Sequence, residues 1–373
     1  MERQRRTPRS DWRRQFEEIG FHFHSLDDVY WDESACYRFS SSEIDMLEET
    51  TSELHGLCLK AVQHAIDYEL FHQLRIPDAL VPMIRSSWQK REPSLYGRLD
   101  LCYDGINAPK LLEYNADTPT SLLEAAVAQW HWLEETGRPD QFNSLHEKLI
   151  ARWREIRAKL PLSTVLHLSC VKDSDEDWVT TEYLRDTALQ AELDARFVYI
   201  EEIGWTGEQF VDLGREPIKV WFKLYPWEWL CREEFGPHLV TSGIRVIEPA
   251  WKVILSSKAI LPLLWELSPG HRNLLPAYFE PGKLGSRYAA KPIYSREGAN
   301  VELHIDGKTE SQPGAYGAEG WVYQGLALLP NFDGNYPVIG SWMVGDEPAG
   351  MGIREDSTLI TTNTSRFVPH YFD

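Results

Sequence analysis

Two periodicities run along this chain. From Ser42 to about Leu74 the apolar residues Ile44, Leu47, Leu54, Leu57, Leu59, Val62, Ile66 and Leu70 recur at helical spacing, which predicts one long helix or two. Ser40-Ser41-Ser42-Glu43 reads as the N-terminus and Pro77 as the break. Ile84–Trp88 begins a further element. At Tyr96 the period changes to two. Tyr96–Tyr103 and Lys110–Asn115 alternate polar and apolar around Asp104-Gly105, a turn pair, so a β-hairpin is expected. Alternate side chains of a strand share a face. Arg98, Asp100 and Cys102 then point one way, and on the second strand Leu111, Glu113 and Asn115 share a face opposite Leu112 and Tyr114.

Beyond the hairpin, Leu122–Glu135 and Phe142–Leu160 read as helices. Ser163–Val171 and Phe197–Ile200 read as strands flanking a helix over Thr180–Asp194, a β-α-β signal for a parallel sheet. Asp173–Asp177 is an acidic turn, Val220–Trp229 an aromatic core stretch, Ile244–Glu248 a strand. A strand ending near Ile254 is expected before Lys258, followed by a helix to Leu267. From Arg287 onward the pattern is antiparallel β: Tyr288–Ile293, Val301–Ile305, Trp321–Leu328, Val338–Val344 and Ala349–Arg354, with Asp306-Gly307 as a hairpin turn. The fold class is α+β in one unit of several lobes.

A chain of 373 residues can bury a large core. A formal net charge of −19 argues against a general nucleic-acid partner. Residues 1–15 carry Arg3, Arg5, Arg6, Arg9, Arg13 and Arg14 without an apolar run behind them, so they read as a frayed or surface basic segment and not as a secretory signal. The five scattered cysteines, without a Cys-x-x-Cys pair, fit reduced thiols. No apolar run is long enough to span a membrane. The expectation is a cytoplasmic enzyme.

The candidate chemistry lies on the polar face of the hairpin. Asp100, Glu113 and Asn115 offer three oxygen donors beside Arg98, a set that suits Mg²⁺; a solvated polar face explains them too. Ala116–Ser121, with Pro119, ends the strand and opens a helix whose free N–H groups suit an anion. Phosphate-loop, dinucleotide, serine-elbow and zinc-helix motifs are absent, and His22 and His24 could chelate a metal, though strand alternation explains them as well. Lys291, in Ala289-Ala290-Lys291-Pro292-Ile293, precedes the small loop Ser295–Asn300, which could fold over phosphates. Lys258 adds a second cation, and Tyr323-Gln324-Gly325-Leu326 offers a strand edge for adenine.

In this order, the pieces resemble the synthetase domain of glutathionylspermidine synthase and related acid–amine ligases. The matching strings are GRLDLCYDG at 97–105, LLEYNADTPTSL at 111–122, VIEPAWKVILSSKAILPLLW at 246–265, YAAKPIYSREGANV at 288–301, YQGLALLPNFDGNYPVIGSWMVGDEPAGMGIRE at 323–355 and TNTSRFVPHYF at 362–372. The resemblance implies a permuted ATP-grasp fold with a pre-ATP-grasp α/β lobe. The metal hairpin would span 96–117, the α/β lobe about 160–250 and the ATP-binding lobe about 251–373.

It also implies roles. Asp100, Glu113 and Asn115 match Mg²⁺ ligands. Arg98 matches an arginine that stabilises transition-state charge, and with Leu99 and Asp100 it lies by the nucleotide. Lys258 and Lys291 match phosphate-facing lysines, Gly298 the closing loop, Gln324 the adenine hinge, and Leu359, Ile360 and Thr361 a further nucleotide contact. Arg354 matches a mobile arginine at the reacting phosphate, and Thr118 a hydroxyl touching the acid. The implied reaction is ATP- and Mg²⁺-dependent amide formation between a small carboxylic acid and an amine, peptide or polyamine, through an acyl phosphate, with ATPase activity. Residues 160–240 would choose the substrates. The bifunctional relatives carry an amidase domain ahead of the synthetase, and this chain begins too close to the synthetase for one to be expected. The alternatives are glutathionylspermidine synthetase proper, a nucleotide-binding pseudoenzyme, or a carbohydrate-binding scaffold suggested only by the 15 tryptophans.

Overall fold

The computed structural model describes residues 1–25 and 29–373. Part of the aromatic and acidic stretch at 21–31 therefore lies outside the described residues. The long helix runs over Ser41–Asp67. Ser40 caps it in a full capping box with Glu43, which meets two N–H groups that would otherwise lack partners. It ends at Tyr68, well before Pro77. Its buried face, including Leu47, Leu54, Cys58 and Val62, packs on the helix Ile260–Leu267 and on the sheet that carries the hairpin. The Thr51 and Ser341 hydroxyls meet across that contact at 2.7 Å.

The hairpin strands are Tyr96–Cys102 and Lys110–Asn115. They form one edge of a five-stranded antiparallel sheet. Tyr96–Cys102 pairs with Tyr336–Val344, which pairs with Glu347–Asp356, which pairs with Arg366–Phe367. The hairpin and the C-terminal strands thus share one sheet. A second antiparallel sheet orders Ala277–Tyr278, Trp321–Gly325, Arg287–Pro292, Glu302–Ile305 and Lys308–Ser311. The space between the two sheets is the candidate site. A third sheet is wholly parallel, in the order Arg245–Ile247, Val220–Lys223, Val165–Ser169 and Asp194–Phe197, with the helix Asp175–Gln190 as a crossover. This bears out the β-α-β reading.

Four expectations are corrected. The N-terminal segment is not frayed: Glu2–Arg5 pairs with Ala35–Phe39, which also pairs with His370–Phe372, so both ends of the chain meet in one sheet. Arg3 binds the fully buried Glu355, and Arg9 binds Glu33. His22–Ser25 is a 3-10 turn and not a strand. Val253–Ser256 is helical, so the segment leading into Lys258 is not the expected strand. That apolar run is buried on all sides, and an unalternating run does not separate strand from helix. Finally, the hairpin holds a bulge: Asp100 faces Glu113 but Leu101 faces Leu111. Leu112 is the extra residue, and beyond it the faces exchange. Leu112, not Leu111, lines the candidate site, while Leu111 is buried in the core.

The tryptophans are mostly interior. Trp31, Trp132, Trp153, Trp221, Trp227 and Trp342 are among the largest fully buried side chains, which counts against a carbohydrate-binding face. Among the described residues no helix is long and apolar enough to cross a membrane.

Candidate active site

The hairpin register brings the polar side chains together. Arg98 lies opposite Asn115 and Asp100 opposite Glu113. Arg98 Nε and Nη2 grip the two Asp100 oxygens at 2.7 and 3.1 Å. The Asn115 amide donates to Asp100 at 3.0 Å and to Glu113 at 3.2 Å. Both carboxylates therefore converge on one point. Two carboxylates and an amide are a hard oxygen set of the size Mg²⁺ takes when water and phosphate complete its shell; the Asn115 amide would turn its oxygen inward to join them. Among the described residues no cluster of three or more His, Cys, Asp or Glu forms a metal site, so the amide belongs to the fit.

Arg98 is held from three sides. Its Nη1 donates to Thr120 O at 2.6 Å, and its guanidinium lies 5.6 Å from the Trp342 ring centroid. Gly340 leaves room for it, since a Cβ there would come within 2.7 Å of Arg98 Cδ.

Two lysines approach from the other sheet and its flank. Lys258 sits in the break between two short helices, 3.1 Å from Glu113 and donating to Ser295 O at 2.6 Å. Lys291 ends the strand Arg287–Pro292 and donates to Leu112 O and Gln324 Oε1 at 2.9 and 2.8 Å. Gln324 in turn donates to Leu111 O. Burial would raise the Glu113 carboxyl, but Lys258 and Lys291 outweigh it and hold it at about 2. Burial lowers Lys291 to about 8, against the attraction of Glu113. The cluster is a set of charges compensated at close quarters, with cations ready for phosphate.

These residues border a cleft of about 830 Å³. Asp100, Glu113, Lys258 and Lys291 form its polar end, while Ala289, Leu303, Leu326 and Ile360 form an apolar end, the kind of wall an adenine ring needs. Gly298, Gln324, Leu359 and Thr361 also line it. Gly298 has φ 71°, and a Cβ there would meet Thr361 O at 2.4 Å, so the loop lies directly on the Leu359–Thr361 segment. Arg354 faces Arg98 across a smaller space bordered by Asp100, Ser121 and Thr361, and it donates to Thr362 O. Leu99 is the exception. Its side chain is fully buried in the core, so only its backbone can face a ligand.

Thr118 lies just outside, where Arg296 Nη1 donates to its hydroxyl at 2.6 Å. Arg296 also pairs with Glu228 at 2.9 Å and lies over the Trp229 ring. Asp117 is taken by Lys223 at 2.7 Å and by the Trp227 amide. Beside this group stand three carboxyls that pattern reading missed. Burial and the neighbouring Glu176 push Glu124 up to about 7 and Asp177 up to about 7. Burial also raises Glu176, against Arg354 and a hydrogen bond with Thr120. Glu176 and Asp177 fall in the first turn of their helix behind the Ser174 cap, and that cap pattern was the one available signal.

The family model described as glutathionylspermidine synthase preATP-grasp matches residues 3–373. The chain belongs to the glutathionylspermidine synthase family. Membership places it among ATP-dependent ligases. It is 45% identical over 387 residues to a Haemophilus influenzae protein named "Putative acid–amine ligase", covering 98% of this chain and 97% of that one. It is 30% identical over 370 residues to the bifunctional glutathionylspermidine synthetase/amidase of Escherichia coli, covering 89% of this chain and 58% of that one. Trypanothione synthetase of Crithidia fasciculata is 30% identical over 352 residues, covering 85% of this chain and 53% of that one. This family member thus spans just over half the length of those two synthetases. A glutathione synthetase-like effector from Globodera pallida superposes with a TM-score of 0.59 at 10% identity, covering 99% of this chain and 98% of that one. That likeness concerns the fold, a mixed α/β architecture of glutathione synthetase type.

Proposed function

We propose that the protein is a Mg²⁺- and ATP-dependent acid–amine ligase of permuted ATP-grasp architecture, forming an amide through an acyl phosphate. The observation that carries this reading is the convergence of Arg98, Asp100, Glu113 and Asn115 with Lys258 and Lys291 at the polar end of one cleft. On this reading the ATP lobe of about 251–373 is completed by the metal hairpin at 96–117, because the two share a sheet. The parallel-sheet lobe of about 160–250 lies beside them.

A carboxylate is a poor electrophile. Phosphorylation converts one of its oxygens into a leaving group, and the amine then displaces phosphate. The protein's part is to align the groups and offset developing negative charge. Mg²⁺, held by Asp100, Glu113 and Asn115, supplies Lewis-acid charge at the phosphates. Lys258 and Lys291 draw the phosphates to that end of the cleft, with Gln324 and the Leu359–Thr361 segment along the nucleotide. Arg98 and Arg354 flank the position where charge builds during phosphoryl transfer. The Gly298 loop, seated on Thr361, excludes water from the reactive acyl group. Arg296, held by Thr118 and Glu228, presents a guanidinium suited to the acid's carboxylate or phosphate. Glu124, Glu176 and Asp177 adjoin this space with raised carboxyls, and a cationic amine, such as a polyamine, would draw them back to the ionised form.

Incubation with MgATP, glutathione and spermidine, followed by mass spectrometry, tests the pair that the relatives' names suggest. A broader panel of acids and amines extends the test. Amide product with the wild type and none with Asp100→Ala is expected. No product from any pair, with no MgATP binding, would sink the ligase reading. Saturable MgATP binding without any product would favour a pseudoenzyme.

A further inference from the structure

Ser121, Tyr30 and Glu124 form a hydrogen-bonded line, and three irregularities meet in it. Ser121 has a left-handed backbone, φ 67°, a conformation a serine keeps only where its surroundings enforce it. Three residues on, the helix widens into a π turn over Glu124–Ala128, a distortion frequent at functional sites. Glu124 itself is 1% exposed, and its Oε2 meets no partner among the described residues. An unmet buried acceptor is destabilising, so packing alone does not account for a carboxyl here.

The hydrogens can be traced. Tyr30 Oη donates its one proton to Glu124 Oε1 at 2.7 Å. The 3.2 Å contact between Tyr30 Oη and Ser121 Oγ must then be donated by Ser121. That leaves the Ser121 lone pairs free, and Ser121 borders the space between Arg98, Asp100 and Arg354. The line therefore presents an acceptor to the reaction space and ends on a carboxyl able to take a proton.

We propose that Ser121, Tyr30 and Glu124 are the route by which the amine loses its proton as it forms the amide. This rests on the acid–amine ligase reading above. The amine enters the step neutral, having lost one proton to water. Its lone pair forms the C–N bond, and the C–O bond to the phosphoryl group breaks, its electron pair leaving with phosphate. The nitrogen then carries one proton too many. That proton passes to Ser121 Oγ, the Ser121 proton to Tyr30 Oη, and the Tyr30 proton to the Glu124 carboxylate. Glu124 ends neutral and returns the proton to water on product release. The charged groups that bear on Glu124 are Tyr30, Glu176 from the helix Asp175–Gln190, and Arg354 from the strand Glu347–Asp356. Burial and Glu176 hold Glu124 at about 7, against Tyr30 and Arg354, so it can exist in both forms near neutrality.

The test compares wild type, Glu124→Gln and Tyr30→Phe with butylamine or hydroxylamine as nucleophile and each acid of a carboxylate panel. Hydroxylamine is weakly basic and sheds its proton without assistance, so hydroxamate formation reports the acyl phosphate alone. Amide formation from butylamine should fall about 10²-fold in both variants, with hydroxamate formation little changed and no loss of melting temperature. Divided by the free-base fraction of butylamine, which itself grows with pH, wild-type amide formation should still rise with pH through about 7, because only the ionised carboxylate accepts, and Glu124→Gln should flatten that rise. Equal loss with both nucleophiles at an unchanged melting temperature, or persistence of the rise in Glu124→Gln, would overturn the relay. Absence of hydroxamate and of ADP release in the wild type with every acid would overturn the ligase reading, and the relay with it. Loss confined to the variants bears on the relay alone.

Discussion

At the scale of the residue, the site is a set of charges that hold one another in place. Glu113 stays ionised only because two lysines offset its burial. Arg98 lies flat on the sheet because residue 340 has no side chain. Gly340→Ala should push the Arg98 guanidinium off Asp100 and lower turnover by about tenfold or more, with the fold intact by circular dichroism; unchanged turnover would show that Arg98 has slack. Glu124 gives a prediction of opposite sign. Its folded value of about 7 lies above the ordinary 4.5. The folded state therefore binds more protons between those values, and the stability contributed by this group is full below about 4.5 and lost as the pH rises through 7. Glu124→Gln should accordingly raise the melting temperature more at pH 8 than at pH 5, and an equal change at both would deny the burial cost. The converging hairpin side chains were legible in the sequence because alternation and a turn pair put them on one face, whereas both lysines took their roles from the family resemblance, Lys258 behind a strand that is in fact helical. Arg296, Glu124, Glu176 and Asp177 were not legible. They come from three distant segments, and Ser121-Leu122-Leu123-Glu124 looks like an ordinary capping box until Tyr30 is seen to take the carboxyl.

At the scale of the element, the structure follows the sequence where one face is wet and departs where both are buried. The capped helix Ser41–Asp67 and the hairpin were legible because their periods are clean. The bulge at Leu112 was not, since one inserted residue leaves no compositional trace. The helical turn Val253–Ser256 was read as a strand for want of polar punctuation. The Ser295–Asn300 loop carries the prediction at this scale. Gly298 combines a positive φ with a position where an added Cβ would clash with Thr361 O, so Gly298→Ala should lift the loop from the Leu359–Thr361 segment. MgATP should bind about tenfold more weakly in a fluorescence titration, with little loss of melting temperature. Unaltered affinity would mean that the loop has no part in nucleotide binding.

At the scale of the whole molecule, the two ends of the chain close on each other beside the site. Arg3 reaches Glu355, the residue after Arg354, and Tyr37 and Arg366 reach the same carboxylate. Arg3→Ala leaves Glu355 with its other partners, so a loss of about 1–3 kcal/mol in chemical denaturation is expected. No loss would mean that the terminal strand adds little. The basic N-terminus was misread because arginines without apolar neighbours look solvated, whereas the partner of Arg3 lies more than 300 residues away. The most direct test of the account is ADP release from MgATP, with carboxylates crossed against amines and Lys291→Ala as the blank. Release that requires both an acid and an amine, and disappears in Lys291→Ala, is the predicted result. Release that ignores both substrates, or that survives in Lys291→Ala, would contradict it.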